Sequence, residues 1–125
     1  MSLIDKKVLV FHAKNPVFFK VLEHPTHHGS AENISCGDSV QVQACVDGDV
    51  FVELAFQSSG CMLCRAATSC VLEYLVGKKN DDALRLTEAD LLTMLEAPDI
   101  SYGRRMCAAL GLQAVRNMLG NEQKG

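Results

Sequence analysis

No run in this chain approaches the roughly 20 consecutive apolar residues that a membrane span needs. The N-terminal apolar stretch, Val8-Leu9-Val10-Phe11, is far too short for a secretory core. Basic charge is sparse: the formal charge is −3, and positive residues adjoin only at Lys6-Lys7, Lys78-Lys79 and Arg104-Arg105. Nucleic-acid-binding domains usually present a dense basic face, so neither nucleic acid nor membrane is expected as a partner. The chain lacks internal repeats and low-complexity tracts. A soluble, cytoplasmic protein is the expectation, with residues 1–125 as a single domain. At 125 residues and 48% hydrophobic, the chain can bury a core without disulfide or metal staples.

What it does have is cysteine, six residues in all. In a reducing compartment such cysteines are more often metal-binding, catalytic or simply buried than disulfide-bonded. Their placement follows from a hairpin. Val40, Val42, Ala44 and Val46 alternate with Ser39, Gln41, Gln43 and Cys45, and Val50, Val52, Leu54 and Phe56 alternate beyond Asp47-Gly48-Asp49. Alternation around Asp-Gly is a strong hairpin signal. A three-residue loop, 47–49, pairs Val46 with Val50, Ala44 with Val52, Val42 with Leu54 and Val40 with Phe56, so that every apolar residue faces one core. Extended outward, this register sets Asp38 near Ser58 and Cys36 near Gly60, beside Cys61. Two thiols and a carboxylate then meet at the open end.

Elsewhere, Asn15-Pro16 reads as the start of a short helix through Leu22, with Val8 to Phe11 before it as a strand or arm, and 27–33 has loop composition. Apolar and small residues at 63, 66, 67, 70, 71, 74 and 75 predict a helix over 62–76, capped by Ser58 or Ser59 and stopped by Gly77, with Cys61 at its N-terminus. Thr87 with Asp90 resembles a capping box. Ser101 opens a last helix carrying Met106, Leu110, Ala114, Val115, Met118 and Leu119, with Cys107 in its first turns. The expected fold class is α+β: a small antiparallel sheet of about three strands, built on the hairpin core and packed against a helical layer.

Unpaired N–H groups at a helix start favour a thiolate, the form that binds metal or attacks sulfur. Three thiolates, Cys36, Cys61 and Cys107, with the Asp38 carboxylate supply four ligands suited either to tetrahedral zinc or to an iron-sulfur cluster. Arg104 and Arg105 either lower the Cys107 thiol pKa or are solvated surface charge. Cys70 reads as core, Cys45 as a half-buried filler, and His24, His27 and His28 as solvated. Cys64 completes a Cys-x-x-Cys with Cys61, a weak signal taken alone, and is a candidate spare ligand or resolving thiol.

These residues resemble the U-type iron-sulfur cluster assembly scaffold family, the IscU and NifU N-terminal group with its SufU relatives. Asn33-Ile34-Ser35-Cys36-Gly37-Asp38 is similar to the Asn-Pro-x-Cys-Gly-Asp signature, Ser59-Gly60-Cys61 to the second motif, and Arg104-Arg105-Met106-Cys107-Ala108-Ala109-Leu110 to the third. Pro25 to Gly29 resembles the family's Pro-x-x-x-Gly loop. The chain departs from the pattern at Ile34, at Cys64 and at Met106, which stands where the IscU branch has histidine. Ala97-Pro98-Asp99-Ile100-Ser101 replaces its Leu-Pro-Pro-Val-Lys segment.

The resemblance implies an IscU/NifU-N-like fold and a scaffold rather than an enzyme. Cys36, Cys61 and Cys107 would take sulfur from a cysteine desulfurase and, with Asp38, hold a transient 2Fe-2S cluster, with an iron donor and apo-protein recipients as further partners. Zinc occupies the equivalent site in several relatives. A zinc-bound sulfur-transfer partner of the desulfurase is the alternative, and a Cys-x-x-Cys thiol-redox protein a weaker one, because thioredoxin-like chemistry expects its motif after a parallel strand.

Overall fold

The computed structural model describes residues 7–35 and 37–124; Cys36 lies outside the described residues, and so does its expected approach to Gly60. The first element is α1 (Lys7–Lys14), which buries Leu9, His12 and Ala13, an i, i+3, i+4 stripe. The helix therefore covers 7–14, where a strand or arm was expected, and ends where one was expected to begin. Asn15 N–H closes the last turn onto the Phe11 carbonyl at 2.8 Å. Pro16 cannot continue that ladder.

Residues 17–26 then cross the sheet. The Phe18 carbonyl accepts from Phe56 N–H (2.9 Å) at one edge of the sheet. Leu22 N–H donates to Gln43 Oε1 (2.8 Å), and Thr26 N–H to the Ala44 carbonyl (2.9 Å). The polar sheet face with Gln43 and Cys45 is covered by this segment.

The sheet runs β1 (His27–Asn33), β2 (Asp38–Asp47), β3 (Val50–Ser59), all antiparallel and in that spatial order. Residues 27–33 thus form the third strand, not a loop. Their polar composition carries little strand propensity, and pairing to β2 from His27↔Ala44 to Asn33↔Asp38 imposes the conformation. Gly29 marks the reason for its own choice: a Cβ there would lie 2.6 Å from the Ala114 carbonyl oxygen, so β1 and the last helix touch backbone to backbone.

The hairpin register corrects the expected one. Asp47 pairs with Val50 and Val46 with Phe51, leaving a two-residue Gly48-Asp49 turn, and a bulge at Cys45/Val46 leaves Val52 as the extra residue before Ala44↔Leu54, Val42↔Phe56 and Val40↔Ser58. The bulge keeps the apolar residues of both strands on one face despite the two-residue turn. It swaps phase once, so Phe51 is buried and Val52 is 54% exposed, while Leu54 and Phe56 remain in the core. Consequently Asp38 lies beyond Ser39↔Ser59, facing Gly60 rather than Ser58.

Five helical segments follow among the described residues, where three were expected: α2 (Met62–Leu75), α3 (Asn80–Arg85), α4 (Glu88–Met94), α5 (Tyr102–Ala108) and α6 (Leu110–Lys124). α3 forms within the expected polar connection, its Asp82 carboxylate accepting from Lys79 N–H at 3.0 Å. The expected last helix is split at Ala109. Neither Ser58 nor Ser59 caps α2; the N-cap is Cys61 itself, without a side-chain cap bond. Thr87 and Asp90 close the expected capping box at 3.0 and 3.1 Å.

α2 is buried on nearly every side, as a central helix must be. It packs between α1 and the sheet, with α6 laid along β1 and β2. On its α1 side, His12 Nδ1 meets Ser69 Oγ (2.8 Å), which also accepts from Val17 N–H (2.8 Å). Val40, Val42, Ala44, Leu54 and Phe56 supply the sheet's contribution to the core.

Candidate metal and sulfur site

Asp38, Cys61 and Cys107 come from three separate elements: the first residue of β2, the N-cap of α2 and the last turn of α5. One carboxylate oxygen and the two Sγ atoms all lie within 4.8 Å of one another. Ligands around a tetrahedral zinc at about 2.0–2.3 Å span only slightly less, so a small side-chain adjustment closes the three donors on one ion. Among the described residues this is the one such group.

The strand-to-helix junction at 60–61 makes it possible. Gly60 adopts φ +130, a conformation other residues rarely take, and a Cβ there would collide with the Asp38 carboxylate. Its bare backbone lets the acid reach residue 61. Asp38, only 3% exposed, accepts from Cys61 N–H through Oδ1 (2.9 Å) and from the Cys61 thiol through Oδ2 (3.3 Å). The carboxylate thus does what a helix-capping side chain ordinarily does, and it also holds the thiol proton. A metal cation arriving at Sγ displaces that proton.

Cys107 is half-buried and Cys61 exposed, so the group opens to solvent on the Cys61 side. Arg105 Nε and Nη2 donate to the carbonyls of Ile100 (3.1 Å) and Pro98 (3.4 Å), tying the approach to α5 onto the turn that carries Cys107. Its guanidinium is therefore a brace for the segment, while Arg104 is exposed. Met62 and Met106, the chain neighbours of Cys61 and Cys107, are exposed apolar residues, as is Ile34 (90% exposed). Ile34 and Met106 also line a groove of about 420 Å³ together with Leu110 and Arg116.

The other cysteines separate as expected. Cys70 is core, and burial followed by the Glu73 charge pushes its thiol up to about 11. Cys45 is half-buried, with Sγ 3.6 Å from the His24 carbonyl. Cys64 is fully buried. None belongs to the donor group, nor do His24, His27 and His28. Two features escaped sequence reading: the direct Asp38–Cys61 bonds and the demand for glycine at 60. A glycine immediately before a cysteine, at the end of an alternating strand, is the signal that marks them.

An antiparallel three-stranded sheet under a helical layer, carrying two thiols and a carboxylate at one end, defines an α+β domain with a soft-metal donor set. The chain belongs to the NifU-like N-terminal domain family, whose model matches residues 4–123. It is 28% identical over 90 residues to Iron sulfur cluster assembly protein 1 of Trachipleistophora hominis, covering 72% of this chain and 63% of that one. It therefore spans less than two thirds of that relative's length. It is 26% identical to the Zinc-dependent sulfurtransferase SufU of Bacillus subtilis over 141 aligned positions, covering 100% of this chain and 95% of the relative. The crystal structure of a NifU-like protein (N-terminal) from Brucella abortus superposes with a TM-score of 0.81 at 19% identity, covering 99% of this chain and all of the other, and shows the shared fold. No helix among the described residues is long and apolar enough to cross a membrane.

Proposed function

We propose that this protein is an iron-sulfur cluster assembly scaffold and sulfur acceptor, a carrier and not a turnover enzyme. A cysteine desulfurase passes persulfide sulfur to one of Cys36, Cys61 or Cys107. With iron, a transient 2Fe-2S cluster is assembled on these three thiolates and Asp38 for transfer to apo-protein recipients. The single observation that supports this most is the convergence of Asp38, Cys61 and Cys107 within 4.8 Å. Cys36, two residues before Asp38 in the chain, completes the set.

The chemistry suits a cargo that must leave. Thiolates hold iron and sulfide strongly, and one hard oxygen among soft sulfurs weakens retention at that corner. The open Cys61 side gives a donor or recipient access. Residues 1–125 serve as the single folding unit for this role.

The full-length likeness to a zinc-dependent sulfurtransferase favours a second reading. In that case the same four residues hold zinc, and exchange of one thiolate at the metal frees it to take sulfur. Anaerobic incubation with iron, cysteine and a desulfurase, followed by absorbance spectroscopy and metal analysis, separates the two. Thiolate-to-iron charge-transfer bands are expected for the scaffold. Their absence, together with tightly retained zinc, would leave the sulfur-transfer reading.

A further inference from the structure

Cys64 stands outside the donor group, yet of the buried thiols it is the one set a single helical turn from Cys61. We propose that Cys64 is a resolving thiol: it attacks the inner sulfur of a persulfide carried on Cys61, releases the outer sulfur as sulfide, and leaves a Cys61–Cys64 disulfide. The inference rests on the reading above that Cys61 accepts persulfide sulfur.

The geometry comes from the helix start. Cys61 is the N-cap of α2 with φ −80 and ψ 159, and Cys64 is its third helical residue. Thr87 and Asp90 occupy the same two positions of α4, with φ −104 and ψ 165 at the cap, and there the two residues close reciprocal bonds of 3.0 and 3.1 Å. At α2 the Cys61 N–H and thiol are held by Asp38 instead of by residue 64, so meeting Cys64 requires the Cys61 side chain to turn from Asp38 toward the first helical turn, where Cys64 stands. Residues three apart on a helix have Cβ atoms about 5–6 Å apart, and a disulfide needs about 3.5–4.5 Å. A modest adjustment at the cap, which the helix does not lock, supplies the difference.

Burial assigns the roles. Cys61 is exposed and Cys64 is 0% exposed, so a bulky sulfur donor reaches the first and not the second. Cys107 lies in the donor group and is committed there once metal binds, whereas Cys64 is not. The Cys61 sulfur cannot lie in a disulfide and also keep its contact with Asp38 Oδ2, so resolution withdraws one ligand from the site.

The exchange balances. The bond between Cys64 Sγ and Cys61 Sγ forms as the bond from Cys61 Sγ to the outer sulfur breaks. The outer sulfur leaves with the bonding pair and a proton as hydrosulfide. Two thiol-derived electrons have reduced sulfane sulfur to sulfide, the oxidation state a cluster contains. A dithiol reductant of the thioredoxin class then restores the thiols.

The test loads the reduced, metal-free chain with persulfide from a cysteine desulfurase and free cysteine, removes the donors, and follows sulfide release alongside intact and fragment masses. The wild type is expected to release about one equivalent of sulfide and to lose two hydrogens, with 61 and 64 cross-linked. Cys64→Ser and Cys64→Ala should instead retain one extra sulfur on Cys61. Equal retention in wild type and both variants would overturn the proposal. If residue 61 gains no sulfur in any chain, the persulfide reading of Cys61 fails, and oxidation of the wild type by glutathione disulfide decides the pair on its own. A mapped 61–64 cross-link in the folded chain supports it, and its absence overturns it.

Discussion

The Asp38 carboxylate holds Cys61 by both of its oxygens, one on the backbone N–H and one on the thiol, across a glycine that leaves no side chain between them. The acid is therefore part of the helix start as well as part of the donor set. Replacing it by alanine removes a hard ligand and a cap together. Asp38→Ala is expected to lengthen the lifetime of an assembled cluster several-fold, measured as decay of the charge-transfer absorbance. The lost cap should cost about 1–3 kcal/mol in urea unfolding. An unchanged cluster lifetime would remove Asp38 from the release mechanism.

Gly60 and Gly48 provide a matched pair. Both have positive φ, +130 and +67, but a Cβ at 60 meets the Asp38 carboxylate while a Cβ at 48 meets nothing within 4 Å. Gly48→Ala should cost about 1–2 kcal/mol of stability through backbone strain alone and leave metal affinity unchanged. Gly60→Ala should lose at least as much stability and weaken zinc or iron binding at least tenfold. Isothermal titration of the two variants distinguishes strain from collision.

Arg105 braces the turn before Cys107 and Arg104 is exposed. Arg105→Gln is expected to weaken metal binding several-fold by loosening α5, and Arg104→Gln to leave it within error. Equal effects of the two variants would mean that charge near Cys107, rather than the carbonyl contacts to Ile100 and Pro98, is what matters.

Cys70 gives a pH signature remote from the site. Its thiol is raised in the folded chain from 9.0 to about 11 by burial and by Glu73. The protonated form is favoured by folding, so its contribution to stability is complete below pH 9 and is lost as pH rises toward 11. Cys70→Ala should flatten the decline in unfolding free energy over that window. In mass-mapped alkylation of the folded wild type near pH 8, Cys61 should react first and Cys70 only on unfolding.

Much of the site was legible because its residues lie at chemically marked boundaries. Cys61 sits between a strand-end glycine and an apolar helical stripe, and Thr87 with Asp90 announced α4. The convergence of Asp38 with Cys61 followed from hairpin logic even though the assumed loop was wrong. The two-residue turn and the bulge at Cys45/Val46 each shifted the pairing by one residue, which together preserved the facing of Leu54 and Phe56 and moved Asp38 from Ser58 to Gly60. A single extra residue in one strand leaves no periodic trace, so Phe51 rather than Val52 enters the core unannounced.

The strand at 27–33 was illegible for another reason. Its sequence is polar, and its conformation is imposed by β2 on one side and by α6 against Gly29 on the other. The N-terminal misreading came from Asn15-Pro16, which suits a helix start and here follows a helix end. Leu9, His12 and Ala13 at helical spacing were the better guide.

The account turns on three thiolates and one carboxylate sharing a metal site. Iron-edge X-ray absorption on the chain loaded anaerobically with iron, cysteine and a desulfurase tests it most directly. The expected spectrum shows iron ligated mainly by sulfur, with a single light oxygen neighbour that disappears in Asp38→Ala and a short iron-to-iron vector. Iron surrounded only by oxygen and nitrogen, with no second iron nearby, would contradict it.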